Sequence, residues 1–243
     1  MDTTLTAIVP SAGLGKRFDS SRRKTFVTVK GVPLLIYTLK RLHSEKSIGE
    51  IIPVLRQEDM DRAFEIVKEY NLSKIKQIAR GGEERQDSIY NALKLVEESV
   101  NEPYRNCFVL IHDGVRPYIP EGMIEKLIEG IKGVDGVIPG IPVKDTIKEI
   151  DAGGIVLSTL NRDKVRAVQT PQFFSFKAIK KAYDSAIEDG FYATDDAALI
   201  ERVGGKIKII PGSPYNIKVT TREDLDMVEY VLKKEQWGDG VMT

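Results

Sequence analysis

Only one cysteine, Cys107, occurs in the 243 residues, so no disulfide framework can form within the chain. Histidine is nearly as scarce, at two residues, and no constellation for nucleophilic catalysis stands out around either. An excess of one charge is also missing: 36 basic residues offset 36 acidic ones. That excludes a general polyanion binder, which would show a basic surplus, and it makes any anion site a local one. No apolar run approaches the roughly 20 residues that cross a bilayer. The opening MDTTLTAIVP lacks the basic stretch followed by an apolar one that marks a secretory signal. Repeats and low-complexity linkers are absent as well. Together these absences point to a cytoplasmic protein in a reducing compartment. What is present is ordinary for a globular chain, 42% hydrophobic and 30% charged, and suffices for one generous domain. Cys107 opens the apolar run CFVLI, which reads as core.

Strand-like and helical segments alternate. The strand-like runs are Leu5–Val9, Glu50–Leu55, Lys74–Ile78, Asn106–His112, Gly136–Ile141 and Lys206–Ile210. Pro33 suits a first helical position, with Leu35, Leu39 and Leu42 following at helical spacing. Ile89, Ala92, Leu93 and Val96 form the stripe of a helix with one buried face, and Met123, Leu127, Ile128 and Ile131 repeat it less cleanly. Thr221 to Asp224 reads as a capping box that opens a helix through Leu225, Val228 and Leu232. Such alternation predicts an α/β fold: a single Rossmann-like, three-layer domain with a mostly parallel twisted sheet. Ligands in such sheets bind beyond the carboxyl ends of the strands. The segment 142–170 departs from the pattern. It has no helical stripe, and a turn at Asp151-Ala-Gly-Gly154 makes it a β-hairpin plus a returning strand, either a surface flap or an arm toward another subunit. The domain is expected to end near residue 232, with 233–243 as a loose tail.

After the first strand comes PSAGLGKRF. A dinucleotide fold needs a third glycine where Phe18 stands, and an acidic residue about twenty positions on, where the chain is apolar. The phosphate loop of ATPases needs glycine at Pro10 and Ser or Thr at Arg17. Both also require a helix at once, yet the next good stripe begins near Pro33. What remains is a long loop in which Ser11, Ala12 and Gly13 let backbone N–H groups approach a ligand. Lys16, Arg17, Arg22, Arg23 and Lys24 gather there against Asp19 alone. The pattern favours a triphosphate clamp over a merely solvated loop.

PSAGLGKRF with Lys24, GGEERQDS at 81–88, HDGVRP at 112–117, TPQFF at 170–174 and NIKVT at 216–220 occur in that order. Together they resemble the 2-C-methyl-D-erythritol 4-phosphate cytidylyltransferases, over residues 5 to 232. The resemblance implies transfer of CMP from CTP to a polyol phosphate, with Mg²⁺ bound mainly through the CTP phosphates. Ribitol 5-phosphate is the rival acceptor, and a non-catalytic nucleotide-binding regulator is the rival of another class. By resemblance, Arg17 and Lys24 stabilise the transition state. Pro10, Ser11, Ala12, Gly13, Gly15, Gly82, Glu83, Arg85, Ser88 and Gly114 bind the nucleotide. Asp113, Arg116, Thr146, Arg162, Thr170, Thr194 and Lys218 position the acceptor, with Thr146 reaching a partner's site across a homodimer built through the β-arm. The chain departs from the family in two places: Arg23-Lys24-Thr25 stands for the usual Pro-Lys-Gln, and Gly114-Val115 for Ala-Ala. His112 is expected to be a structural neighbour only.

Overall fold

The computed structural model describes residues 4–13, 26–100, 104, 106–234. Gly15, Arg17 and Lys24, and the tail from residue 235, lie outside the described residues. In chain order the elements are β1 (Thr4–Pro10), β2 (Thr28–Val29), β3 (Val32–Pro33), α1 (Leu34–Ser44), β4 (Glu50–Leu55), α2 (Met60–Glu69) and β5 (Ala79–Arg80). There follow α3 (Arg85–Ser99), β6 (Cys107–Ile111), α4 (Met123–Gly130), β7 (Gly136–Pro142), β8 (Lys148–Ile150), β9 (Val156–Thr159) and β10 (Arg166–Val168). The last are β11 (Gln172–Ser175), α5 (Phe176–Glu188), α6 (Asp196–Arg202), β12 (Ile207–Pro211) and α7 (Arg222–Lys234).

The parallel strands β5, β4, β1 and β6 lie side by side, and antiparallel β11 joins β6 to β7. β12 runs parallel along one edge of β7, while β10 and β11 both pair antiparallel with the other. β10 and β11 are thus two halves of one line, broken at residues 169–171. That break lies next to the carboxyl end of β6. It therefore delivers Gln169 and Thr170 to the sheet edge where such folds bind ligands.

Strand residues split by parity between two cores, as a pleated strand requires. Leu5, Ala7 and Val9 of β1 pack on one face beneath α1 and α4, and Ile8 packs on the other against α3, α5 and α6. With both faces covered, the parallel strands carry no polar face, hence their unbroken apolar runs. Each fully buried Ile or Leu adds about 1.5–3 kcal/mol to this three-layer packing. Cys107 belongs to the second core, and burial pushes its thiol up to about 11, as suits an unreactive core residue.

Three readings need correction. Lys74–Ile78 is not a strand: there the Lys74 carbonyl accepts one backbone bond from the Ile51 N–H, and the ladder starts only at Ala79. Pro33 precedes the first helical residue of α1 instead of occupying it. The stretch before α1 contains a tight hairpin, β2–β3, whose turn residues Lys30 and Gly31 have φ of 50° and 79°. Positive φ at both central positions is the mark of a two-residue hairpin turn. The capping box of α7 forms as expected, the Thr221 N–H donating to Asp224 Oδ2 (2.8 Å) and the Asp224 N–H to Thr221 Oγ1 (3.3 Å). The 142–170 excursion also forms as a hairpin, with Asp151 Oδ1 accepting from the N–H groups of Gly153 and Ile155 across its turn.

Candidate active site

Three loops meet beyond the carboxyl ends of β1, β5 and β6. Ser11 continues the ladder by donating its N–H to Val54 (2.8 Å), and the Ala12 carbonyl accepts from Arg56 Nε (2.9 Å). The Pro10 carbonyl accepts from the Gly114 N–H (3.3 Å). A Cβ on Gly114 would collide with the Ser11 hydroxyl. An alanine at 114 would require the Ser11 hydroxyl to turn aside. Gly13 differs: among the described residues, its chain neighbours aside, no atom lies within 4 Å of where its Cβ would stand. Packing among the described residues does not explain that glycine.

On the next loop, Gly82 and Glu83 are exposed, while Ser88 is buried in the first turn of α3. The Ser88 hydroxyl accepts from the Gly82 N–H and donates to the Glu84 carbonyl, both at 3.0 Å. Ser88 thereby fixes the loop before α3. Arg85, expected to bind the nucleotide, points across the site. Its Nη1 and Nη2 donate to the two oxygens of Asp196 (3.0 and 2.7 Å), and its Nε lies 3.5 Å from Asp113 Oδ1.

Asp113 is the hub. Its carboxylate is 7% exposed, and its Oδ2 faces Arg116 Nε (3.2 Å) and Lys218 Nζ (2.9 Å). Burial opposes its ionisation, but Arg85, Lys218 and Arg116 together hold the carboxyl well below the usual range. Burial likewise disfavours the charge on Arg85, and the carboxylates of Asp196 and Asp113 reverse this and raise its pKa. Arg116 Nη1 also donates to the Asn216 carbonyl (2.7 Å), and Asn216 Nδ2 to that of Thr170 (2.7 Å). The NIKVT segment is thus tied to both the HDGVRP loop and the β10–β11 break.

His112 ties this knot from beneath. Its ring is fully buried, with Nε2 2.9 Å from the Arg116 carbonyl and Nδ1 3.0 Å from Thr170 Oγ1. A carbonyl can only accept, so Nε2 carries the proton and Nδ1 accepts from the Thr170 hydroxyl. The same hydroxyl accepts from the Asp113 N–H (3.1 Å). Burial pushes the His112 pKa down to about 4, against a smaller upward contribution from the Arg116 carbonyl. The ring is therefore neutral and fully engaged, which agrees with a positional role.

Above the hub opens a cleft of about 580 Å³. Arg85, Asp113, Arg116, Thr170, Thr194 and Lys218 all line it. Arg166, Gln169, Gln172 and Asp195 line it too, without having been singled out from sequence. Gln172 stands inside TPQFF and Asp195 directly after Thr194, with Gln172 donating to Asp195 Oδ2 at 2.9 Å. Thr146 and Arg162 do not line this cleft; both are exposed on the arm, where Arg162 Nη1 lies 3.5 Å from the Lys144 carbonyl. Among the described residues no helix is long and apolar enough to cross a membrane.

Comparison with known proteins gives this geometry a context. The family model described as 2-C-methyl-D-erythritol 4-phosphate cytidylyltransferase (IspD) matches residues 5–234. A protein of that description from Syntrophus aciditrophicus is 41% identical over 237 residues, covering 97% of this chain and 99% of the relative. Another from Dictyoglomus thermophilum is 42% identical over 234 residues, covering 96% and 98%. The crystal structure of 4-diphosphocytidyl-2C-methyl-D-erythritol synthase from Anaerococcus prevotii superimposes with a TM-score of 0.81 at 33% identity, covering 95% and 96%. By sequence and by fold, the chain belongs to the 2-C-methyl-D-erythritol 4-phosphate cytidylyltransferase family.

Proposed function

We propose that the protein transfers CMP from CTP to 2-C-methyl-D-erythritol 4-phosphate, releasing pyrophosphate, a step of the non-mevalonate route to isoprenoid precursors. One observation carries the reading beyond family membership. Residues from the 81–88, 112–117, 170–174 and 216–220 stretches converge on Asp113, at the floor of a cleft large enough for a polyol phosphate.

The chemistry asks little of acids and bases. The second pKa of a phosphate monoester is about 6, so the acceptor is already largely a dianion at neutral pH and attacks the α-phosphorus unaided. The obstacle is to bring one anion against another, which calls for positioning and fixed cations. A half-exposed Lys218 at the cleft wall suits the acceptor phosphate, and Asp113 suits a polyol hydroxyl. Arg17 and Lys24, outside the described residues, are proposed to stabilise the crowded α-phosphate. Mg²⁺ screens the triphosphate in this reading. Asp113, already shared among three cations, is a poor metal ligand, so the ion is assigned to the CTP oxygens.

Pyrophosphate release with Mg²⁺, CTP and each candidate acceptor tests the assignment. Turnover is expected with methylerythritol phosphate. Silence with it, alongside turnover with ribitol 5-phosphate, would replace it with the rival.

The arm is proposed to complete the site of a second subunit. Ile155 and Leu157 on the hairpin are 67% and 61% exposed, and Ile150, Val156 and Leu160 extend the apolar surface. Contiguous exposed apolar surface of this kind marks an interface. Thr146 and Arg162, remote from their own cleft, would then serve the partner's. Lys218→Ala and Arg162→Ala chains are each expected to lose about 100-fold in turnover. Co-expressed, they form heterodimers with one intact site, and about a quarter of wild-type activity returns if pairing is random and two-fold symmetric. No recovery above either parent would remove the shared site.

A further inference from the structure

Arg85 begins the helix that follows the nucleotide-side loop, yet its guanidinium reaches the acceptor cleft. It binds Asp196 with two parallel hydrogen bonds, the geometry that fixes a guanidinium most firmly. Asp196 is 1% exposed and also accepts from the hydroxyl of fully buried Tyr183 (2.5 Å). Tyr183 in turn lies parallel to Tyr90 of the same helix as Arg85, with ring centroids 6.3 Å apart. The two oxygens of Asp113 are held unequally. Arg85 faces Oδ1, while Arg116 and Lys218 share Oδ2. Of the three cations, Lys218 is the most exposed, at 43%.

Buried ion pairs of this kind add little to stability, because desolvating both charges offsets their attraction. A better-packed apolar pair would hold α3 and α6 together as well, so the pair calls for another role. If Lys218 serves the acceptor phosphate, it must share or leave Asp113. An Arg85 tethered only to Asp113 would follow the incoming phosphate, and the carboxylate would lose its orientation.

We infer that Arg85 and Asp196 form a positioning pair for the acceptor: Asp196, steadied by Tyr183, pins Arg85 so that Asp113 keeps its place when Lys218 turns to the substrate phosphate. This rests on the reading of the cleft as the acceptor site. Neither residue of the pair need touch the reacting atoms. The pair links α3, which carries the nucleotide-side loop at its start, to the wall of the acceptor cleft.

A double-mutant cycle on the full-length enzyme tests it, with steady-state pyrophosphate release at saturating CTP and calorimetric CTP binding without acceptor. Arg85→Gln is expected to lower acceptor kcat/KM by about 30-fold and Asp196→Asn by about 10-fold, chiefly through KM. The double variant should lie within about threefold of Arg85→Gln alone, because Asp196 acts through Arg85. CTP affinity should stay within about twofold of wild type throughout. Multiplying effects, a normal acceptor KM in Asp196→Asn, or a loss confined to CTP affinity would each overturn the inference. Tyr183→Phe keeps both charges and removes only the supporting hydroxyl, so it serves if Asp196→Asn does not fold. Its acceptor KM should rise about threefold, and an unchanged KM counts against the pair. Wild-type turnover decides the functional reading separately: an active wild type with an additive cycle sinks the pair alone.

Discussion

Asp113→Asn lowers acceptor-dependent kcat/KM by about 10²–10³-fold, read from pyrophosphate release, and destabilises the fold by about 3 kcal/mol. The shape of the side chain is kept, so the effect isolates its charge. Among the described residues, Asp113 is the one carboxylate within 4 Å of Arg85, Arg116 and Lys218 alike. Without it their repulsion is uncompensated, and the three respond differently. Arg85 keeps Asp196, Arg116 keeps the Asn216 carbonyl, and half-exposed Lys218 turns to solvent. On the proposed reading, the acceptor then meets a cleft in which Lys218 has moved and Asp113 has lost its charge. For a chain of this size 3 kcal/mol corresponds to a fall in Tm of roughly 6–12 °C. A variant with normal kcat/KM would remove Asp113 from the acceptor site, whatever its stability.

The parts of this cluster differ in how well local sequence announces them. HDGVRP, TPQFF and NIKVT each place a polar residue directly after an apolar strand or in an unusual loop, so a short window suffices. Asp196 offers no such window. Its partner Arg85 lies 111 residues away in the chain, and only the packing of α5 and α6 against α3 brings them together. The resemblance groups Arg85 with Gly82 and Ser88, and nothing local in the chain reports that its side chain reaches Asp196. Within the fold, the doubly buried strands were legible because both faces must be apolar. Lys74–Ile78 misled because Ile75 and Ile78 are both buried without belonging to a ladder. Burial sets apolar spacing, whereas a ladder also needs a neighbour in register, which spacing does not report. The β2–β3 hairpin was announced by Lys30-Gly31, a pair compatible with two positive φ angles, but its strands are too short to alternate visibly.

His112 should make the fold acid-sensitive in a window of its own. The folded pKa is about 4, below the ordinary 6.5, because charging the ring would strand an imidazolium in the core. Of the charged neighbours, Asp113 pulls this value up and Arg116 pushes it down, both less than burial does. Below pH 6.5 the unfolded chain takes up a proton that the native state refuses until about pH 4. Stability therefore falls as pH drops through that window, by roughly 3–4 kcal/mol in all. Asp113 acts elsewhere: its carboxyl is held below the unfolded value of 3.8, so its contribution is retained above that pH and lost beneath it. His43 is shifted in the same direction by burial and by Lys74, but it sits at the surface end of α1 beside Ser73 and is far less enclosed. Urea unfolding at pH 7, 6, 5 and 4 separates the two histidines through His112→Gln. The variant loses about 1–2 kcal/mol at pH 7, because the Thr170 hydroxyl and the Arg116 carbonyl lose their shared partner. Between pH 6.5 and 5 its stability should then be nearly flat, apart from the small slope due to His43, with the carboxylates adding theirs only toward pH 4. An equal slope in wild type and variant would mean that the ring beneath the acceptor cleft accepts its proton without cost. The hydrogen-bonded chain from Asp113 through Thr170 to Arg116 would then not depend on a neutral imidazole.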